Sequence, residues 1–264
     1  MSVFLFKIQI FPIKSFDPLE VDSVKITPGG SLDWDRRFVF FRKDNQKVIS
    51  RKWEKKLYAI RTFYDLKREE VTFSHRGMEK GFKFSQKGDI ERFIGDILGY
   101  GVVFKENTHR GFPDDLEAYG PTVVARSTVR EIGRWFSLSE EEMRLRLRTN
   151  LELDGEELPP FWEDKLYGQK GEVVWFKIGG VLIGGVNPCK RCPIPTRNPL
   201  TGEEIKDFKT RFVEMRKKTL PPWAPKERFD TFYRLTVNTI VPPSQGGKVL
   251  KVGDKVEIVK KEKL

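Results

Sequence analysis

The opening third of the chain reads as strands, beginning with the alternating run Val3–Ile10, and helical spacing does not begin until Asp89. Side chains alternate across a strand, whereas a helix repeats about every 3.6 residues. A block of strands not followed regularly by long helices argues against a doubly wound dinucleotide-binding fold. It predicts a β-rich α+β chain.

Strands are expected over Val3–Ile10, Val21–Thr27, Phe38–Arg42, Lys47–Ser50 and Val71–His75, with 43–46 as a hairpin loop between the third and fourth. From Asp89, the positions Ile90, Phe93, Ile94, Ile97 and Leu98 share one helical face, and Gly99 stops the helix. A further strand is expected at Val102–Lys105 and a buried one at Pro121–Ala125. The polar, turn-rich stretch 106–118 predicts a boundary between a subdomain over 1–115 and a domain over 116–264. Thr128 with Glu131, and Ser139 with Glu142, have capping-box spacing for two short helices. After Asn150 the β pattern returns, at Val173–Ile178, Gly180–Val186, Thr231–Asn238 and Lys255–Val259, with a helix between Glu203 and Lys217.

Composition narrows the class. With 38% hydrophobic and 12% aromatic residues the chain is not disordered. No apolar run approaches the ~20 residues of a membrane helix. Forty-nine basic residues against 38 acidic ones leave a net charge of +11, which favours anionic partners. The basic residues are interspersed with acidic ones and lack the clustered basic–aromatic signature of a nucleic-acid interface, so nucleic acid is not the expected partner. Only Cys189 and Cys192 occur, which speaks against a disulfide-stapled secreted scaffold and predicts a reducing, cytoplasmic setting.

The cysteines lie in Asn187-Pro188-Cys189-Lys190-Arg191-Cys192-Pro193. This spacing fits a redox pair, half a zinc site, a single reactive thiolate with a bystander, or two core cysteines. Zinc takes four ligands, and the only histidines, His75 and His109, are not at finger spacing. Pro193 and Pro195 prevent the helix that follows a thioredoxin-type pair. Lys190 and Arg191 favour a thiolate, a good ligand for a soft or high-valent metal. Three further cationic sites stand at strand ends: Lys14-Ser15, Asp35-Arg36-Arg37 and Arg148-Thr149-Asn150. Glu163-Asp164 is either an acid–base pair or a solvated turn or salt-bridge partner. Phosphate-loop, dinucleotide and nucleophile-elbow motifs are absent from the sequence.

Six fragments in order resemble the MOSC family, named for the C-terminal domain of molybdenum cofactor sulfurase. Phe11-Pro12-Ile13-Lys14-Ser15 resembles the Tyr-Pro-Ile-Lys-Ser that opens its N-terminal β-barrel subdomain, and Thr27-Pro28-Gly29-Gly30 with Asp35-Arg36-Arg37-Phe38 resembles that subdomain's Gly-loop and Asp-Arg strand. Arg148-Thr149-Asn150 resembles Arg-Pro-Asn, and Phe161-Trp162-Glu163-Asp164 an aromatic-x-Glu-Asp turn. The cysteine loop with Asn198-Pro199-Leu200-Thr201-Gly202-Glu203 resembles Cys-x-Arg-Cys-x4-Asp-Pro-x-Thr-Gly-Glu, and Leu250-Lys251-Val252-Gly253-Asp254 the closing Ile-x-Val-Gly-Asp. Asn198 stands where the family has Asp, and Tyr119-Gly120-Pro121 where it has Thr-Ser-Pro or Gly-Tyr-Pro.

The resemblance implies a MOSC β-barrel domain with an N-terminal β-barrel-like subdomain, and a molybdenum cofactor (Mo-molybdopterin) whose metal is ligated by Cys192. Cofactor contacts carry over to Lys14, Ser15, Arg36, Tyr119, Gly120, Arg148, Asn150, Lys190 and Arg191. The implied activity is two-electron reduction of a small N-oxygenated (N-hydroxylated) substrate, with electrons from a separate ferredoxin- or flavoprotein-type donor. The alternative it carries is a sulfur or cofactor carrier with persulfide or cofactor on Cys192, a role the family links to pyridoxal-phosphate-dependent sulfurases.

Overall fold

The computed structural model describes residues 2–263. The alternating apolar start forms β1 (Val3–Ile10), whose Val3, Leu5, Ile8 and Ile10 are buried. A bulge between Leu5 and Lys7 breaks the strict alternation. Short strands β2 (Leu19–Val21) and β3 (Ser23–Lys25) follow. Then come β4 (Phe38–Arg42), a three-stranded meander of β5 (Ile60–Asp65), β6 (Glu70–His75) and β7 (Met78–Lys83), helix α1 (Lys87–Leu98) and β8 (Val102–Glu106). The remainder supplies β9 (Val123–Ala125), α2 (Arg126–Phe136), α3 (Glu140–Leu147), β10 (Leu151–Gly155), β11 (Glu172–Ile178) and β12 (Val181–Lys190). It ends with α4 (Phe208–Lys218), β13 (Arg234–Ile240), β14 (Val249–Lys251) and β15 (Val256–Lys263). Strands take 35% of the chain and helices 23%, the strand-rich mixture its periodicity predicts.

One eight-stranded sheet dominates, in the order β15-β11-β12-β13-β9-β10-β1-β2. It curls so that β1, one strand in from the β2 edge, approaches the β15 end: Phe4 bridges Lys255, and Leu5 exchanges hydrogen bonds with the 253–254 turn. β1 and β2 therefore share a sheet with six strands that follow residue 116. Its inner face carries one core, including Leu5, Ile8, Leu153, Phe176, Ile183 and Val237. A second core packs α1 and the small sheets through Phe38, Phe40, Phe73, Phe104 and Ile94. A third joins α2, α3 and α4 through Val129, Trp135, Met143 and Phe212.

Several local expectations need correction. Lys47–Ser50 is a single bridge rather than a full strand: Val48 pairs with Phe41, Arg42 N donates to Lys47 O and Ile49 N to Phe40 O, closing the expected hairpin on the edge of β4 that β8 leaves free. The Val21–Thr27 run splits at Asp22, since Val21 pairs with Ile8 of β1 whereas Ser23–Lys25 pairs with β14. Thr128 does not cap α2, which begins at Arg126 behind Ala125. Its hydroxyl instead accepts from Phe161 N and donates to Glu163. Ser139 does cap α3, its Oγ accepting from Glu142 N at 3.1 Å. Gly99 ends α1 in the left-handed conformation at φ 84°. The helix expected from Glu203 starts only at Phe208, leaving Ile205 outside it.

The Glu163–Asp164 turn is the opposite of solvated. Both carboxylates are buried in the 3-10 turn Trp162–Leu166, and Asp164 forms an ion pair with the fully buried Arg216 of α4. The Arg216 guanidinium lies 4.0 Å from the Phe161 ring centroid and 5.0 Å from that of Phe229. This clasp presses the Leu166 carbonyl onto β12 at Gly185, where an added Cβ would lie 1.7 Å from that oxygen.

Candidate functional site

Pairing of β12 with β11 ends at Gly185, while pairing with β13 continues to Lys190. Beyond Gly185 the strand has a free edge, which suits Pro188 because proline has no amide hydrogen to leave unpaired. Two register shifts against β13 bend this edge away from the sheet. The opening becomes a cavity of about 840 Å³. Cys189, at the end of β12, and Cys192, just beyond it, both line the cavity and are half-buried.

Most of the residues singled out in the sequence converge on this cavity. Lys14, Ser15, Arg36, Gly120 and Arg148 line it, as do Lys190 and Arg191 of the cysteine loop. They come from the segment after β1, the turn before β4, the approach to β9, the C-cap of α3 and the end of β12. Ser15, Arg36 and Arg148 have positive φ of 72°, 49° and 51°, as does Thr236 (68°), whose hydroxyl accepts from Arg191. Non-glycine residues avoid this region at a cost of about 1–3 kcal/mol each, and such strain collects at functional sites.

The cations are not equivalent. Lys14 spends its donors on Phe112 O (2.9 Å), Pro113 O (3.2 Å) and Asp114 (3.2 Å), so it anchors the 112–114 segment. Burial pulls its ammonium below the usual value, against Asp114 and with help from Arg36. Burial would raise the Asp114 carboxyl, yet Lys14, Arg36 and Lys52 hold it well below the usual carboxylate range. Arg36 pairs with Asp35 at 2.6 Å. The Arg36 and Arg148 guanidiniums lie 5.6 and 4.3 Å from the centroid of the same Phe11 ring. Among the described residues the Arg148 guanidinium donates only to Phe16 O, at 2.8 Å. Burial, with Arg51 and Arg36 as like-charged neighbours, lowers its pKa to about 10, so it stays charged at neutral pH. Arg191 donates to Leu147 O at 2.5 Å, next to Arg148.

The same Arg191 guanidinium stands 3.9 Å from Cys189 Sγ. Cys192 Sγ makes no hydrogen bond among the described residues, and its carbonyl accepts from Tyr233 OH at 3.3 Å. Burial pushes the Tyr233 hydroxyl up to about 12.

Two sequence candidates stand apart. Tyr119 does not line the cavity; its ring stacks under Arg110 at 3.9 Å and closes over Gly30. Asn150 is buried as a structural cross-link, its amide donating to Gln9 O and its carbonyl oxygen accepting from Thr122. Gly120 is fixed by space, since a Cβ there would lie 2.5 Å from Thr239 Oγ1. Sequence reasoning missed Lys52, Asp114, Lys170, Arg228, Arg234 and Asn238, which add to the lining from segments with no motif. In all, nine basic side chains face four carboxylates, a balance that selects an anionic guest. Among the described residues no three His, Cys, Asp or Glu side chains gather to hold a metal on their own, and no helix is long and apolar enough to cross a membrane.

No curated protein matches the chain. Among solved structures it is similar to the YUAD protein from Bacillus subtilis, at 11% identity over 97% of this chain and 94% of that one, with a TM-score of 0.39. It is also similar to a protein described only as hypothetical, at 12% identity over 98% of this chain and 69% of that one, with a TM-score of 0.43. Residues 2–93 match the family model of the MOSC N-terminal beta barrel domain. Residues 2–93 therefore carry the MOSC N-terminal beta barrel domain, a match consistent with a MOSC-domain family protein, and MOSC domains are generally associated with the molybdenum cofactor.

Proposed function

We propose that the cavity binds the molybdenum cofactor and that the chain is a reductase of small N-oxygenated compounds. The observation that carries the reading is the convergence of Cys192 with Arg36, Arg148 and Arg191, far apart in sequence, on one cavity. Arg148, with a single protein partner, is the residue to grip the cofactor's phosphate, with Arg36 beside it and Ser15 adding a hydroxyl. Because no cluster among the described residues offers a full ligand set, a metal here needs most of its ligands from its own organic chelator, plus one thiolate. By family position that thiolate is Cys192, and Tyr233 steadies its loop through the Cys192 carbonyl.

When bound, the cofactor supplies an oxygen-accepting metal that cycles by two electrons. The overall reaction takes R–NH–OH, two electrons and two protons to R–NH2 and water. In this reading the electrons come from a separate ferredoxin- or flavoprotein-type donor. The chain's own part is to orient the cofactor through Arg36 and Arg148 and to shield the cysteine loop within the cavity.

The test is reduction of an N-hydroxylated compound with an artificial electron donor, run beside intact-mass measurement of the resting protein. Turnover that disappears in Cys192→Ser supports the reading. Persulfide on Cys192 without turnover would replace it with the carrier role.

A further inference from the structure

The cavity has a second cationic wall that the cofactor reading leaves unused. Lys170 lies in the loop before β11, Arg228 ends the 3-10 turn Lys226–Arg228, and Arg234 opens β13. Two carbonyls, Val186 O at 3.0 Å and Gln169 O at 3.3 Å, hold the Arg228 guanidinium. Arg234 is fixed by Asp230 at 2.8 Å and Pro188 O at 2.9 Å. Among the described residues this leaves Arg228 Nε, Arg234 Nη2 and Lys170 Nζ without a protein partner. Guanidiniums fixed before a ligand arrives lose little freedom on binding, which favours carboxylate or phosphate.

This wall is distinct from the Arg36–Arg148 wall. Arg228 is lowered by burial and then by Arg234, whereas the like charges acting on Arg148 are Arg51 and Arg36. The cysteine loop runs between the two walls. Lys190 pairs in register with Arg234, whereas Arg191 reaches Leu147 O beside Arg148. Glu227 and Asp230 also face the second wall, and Asp230 is committed to Arg234.

Resting on the function proposed above, we propose that Lys170, Arg228 and Arg234 form an anion subsite that takes the carboxylate or phosphate group of the substrate and so selects anionic substrates. Asn187 and Asn238, hydrogen-bonded to each other at 3.3 Å, line the same cavity. A substrate anchored by its anionic end at Arg228 can direct its other end toward the cysteine loop.

Calorimetric titration of the full chain with inorganic phosphate at low ionic strength, with acetate in a second arm, tests the subsite. The chain made without cofactor should show two classes of phosphate site. Arg228→Gln should weaken one class by about tenfold and Lys170→Gln by several-fold, whereas Arg148→Gln should weaken only the other. Lys170 is exposed and without a protein partner, so its variant reports on the subsite even if Arg228→Gln perturbs folding. Acetate competing at the Arg228-dependent class marks a carboxylate site, and phosphate alone marks a phosphate site. Protein loaded with cofactor should keep the Arg228-dependent class and lose the Arg148-dependent one. A phosphate isotherm indifferent to Lys170→Gln and Arg228→Gln, or loss of their class on loading, overturns the subsite. Absence of the Arg148-dependent class alone counts instead against the cofactor reading.

Discussion

Replacing Asp164 by Asn should destabilise the chain more than any surface change, and the structure sets the size of the effect. Arg216 is 0% exposed and Asp164 2% exposed, and two guanidinium nitrogens of Arg216, Nε and Nη1, already lack partners. Removing the carboxylate strands a buried cation, which costs about 3–5 kcal/mol. At about 2–4 °C per kcal/mol for a chain of this size class, the melting midpoint should fall by roughly 6–20 °C. Arg216→Met should cost a similar amount, because it strands the buried carboxylate and gives up the contacts with Phe161 and Phe229. The double variant Asp164→Leu/Arg216→Met removes both charges and should be far more stable than the sum of the single losses. Urea unfolding of the four proteins closes the cycle. Single losses under about 1 kcal/mol, or strict additivity, would refute the claim that this pair is a dry, mutually dependent clasp.

Three other outcomes follow from the same geometry. Gly185→Ala should cost more than about 3 kcal/mol, read as a lower urea midpoint, because its Cβ has no room beside Leu166 O and backbone must move. Glu163 is pushed up to about 8 by burial and by Asp164, so the folded chain holds a proton there that the unfolded chain has lost above the ordinary glutamate value of 4.5. Its contribution to stability is complete below that value and disappears as pH rises through about 8; Glu163→Gln should flatten that decline in pH-dependent unfolding. Arg148→Gln should weaken inorganic phosphate binding by at least about tenfold, since a charge-assisted hydrogen bond contributes about 1.5–3 kcal/mol, and calorimetry would read it directly.

The sequence carried the local elements whose signals are local. Ile90, Ile94 and Leu98 face the core from α1 as their spacing predicts, and Ser139 caps α3. The failures occur where distant chain segments decide. The Val21–Thr27 run splits because Ser23–Lys25 pairs with β14, far along the sequence, and Thr128 lost its cap role to Glu163 and the Phe161 amide. At the site, motif residues such as Arg36, Arg148 and Cys192 could be named in advance because their neighbours form recognisable fragments. Arg228 and Lys170 stand in unremarkable loops and join the cavity only because β12 sheds its partner beyond Gly185. Asn150 sits in a motif yet faces the interior, which no reading of residue type alone distinguishes from a ligand contact.

The account stands on Cys192 as the protein's ligand to a cofactor-borne metal, even though the Arg191 guanidinium lies against Cys189. The most direct test is to purify the chain from a cofactor-producing host and measure molybdenum and pterin together in wild type, Cys192→Ser and Cys189→Ser. The account predicts molybdenum and pterin in equal amounts in wild type, both lost in Cys192→Ser and retained in Cys189→Ser. Molybdenum retained in Cys192→Ser, or zinc without pterin in wild type, would contradict it.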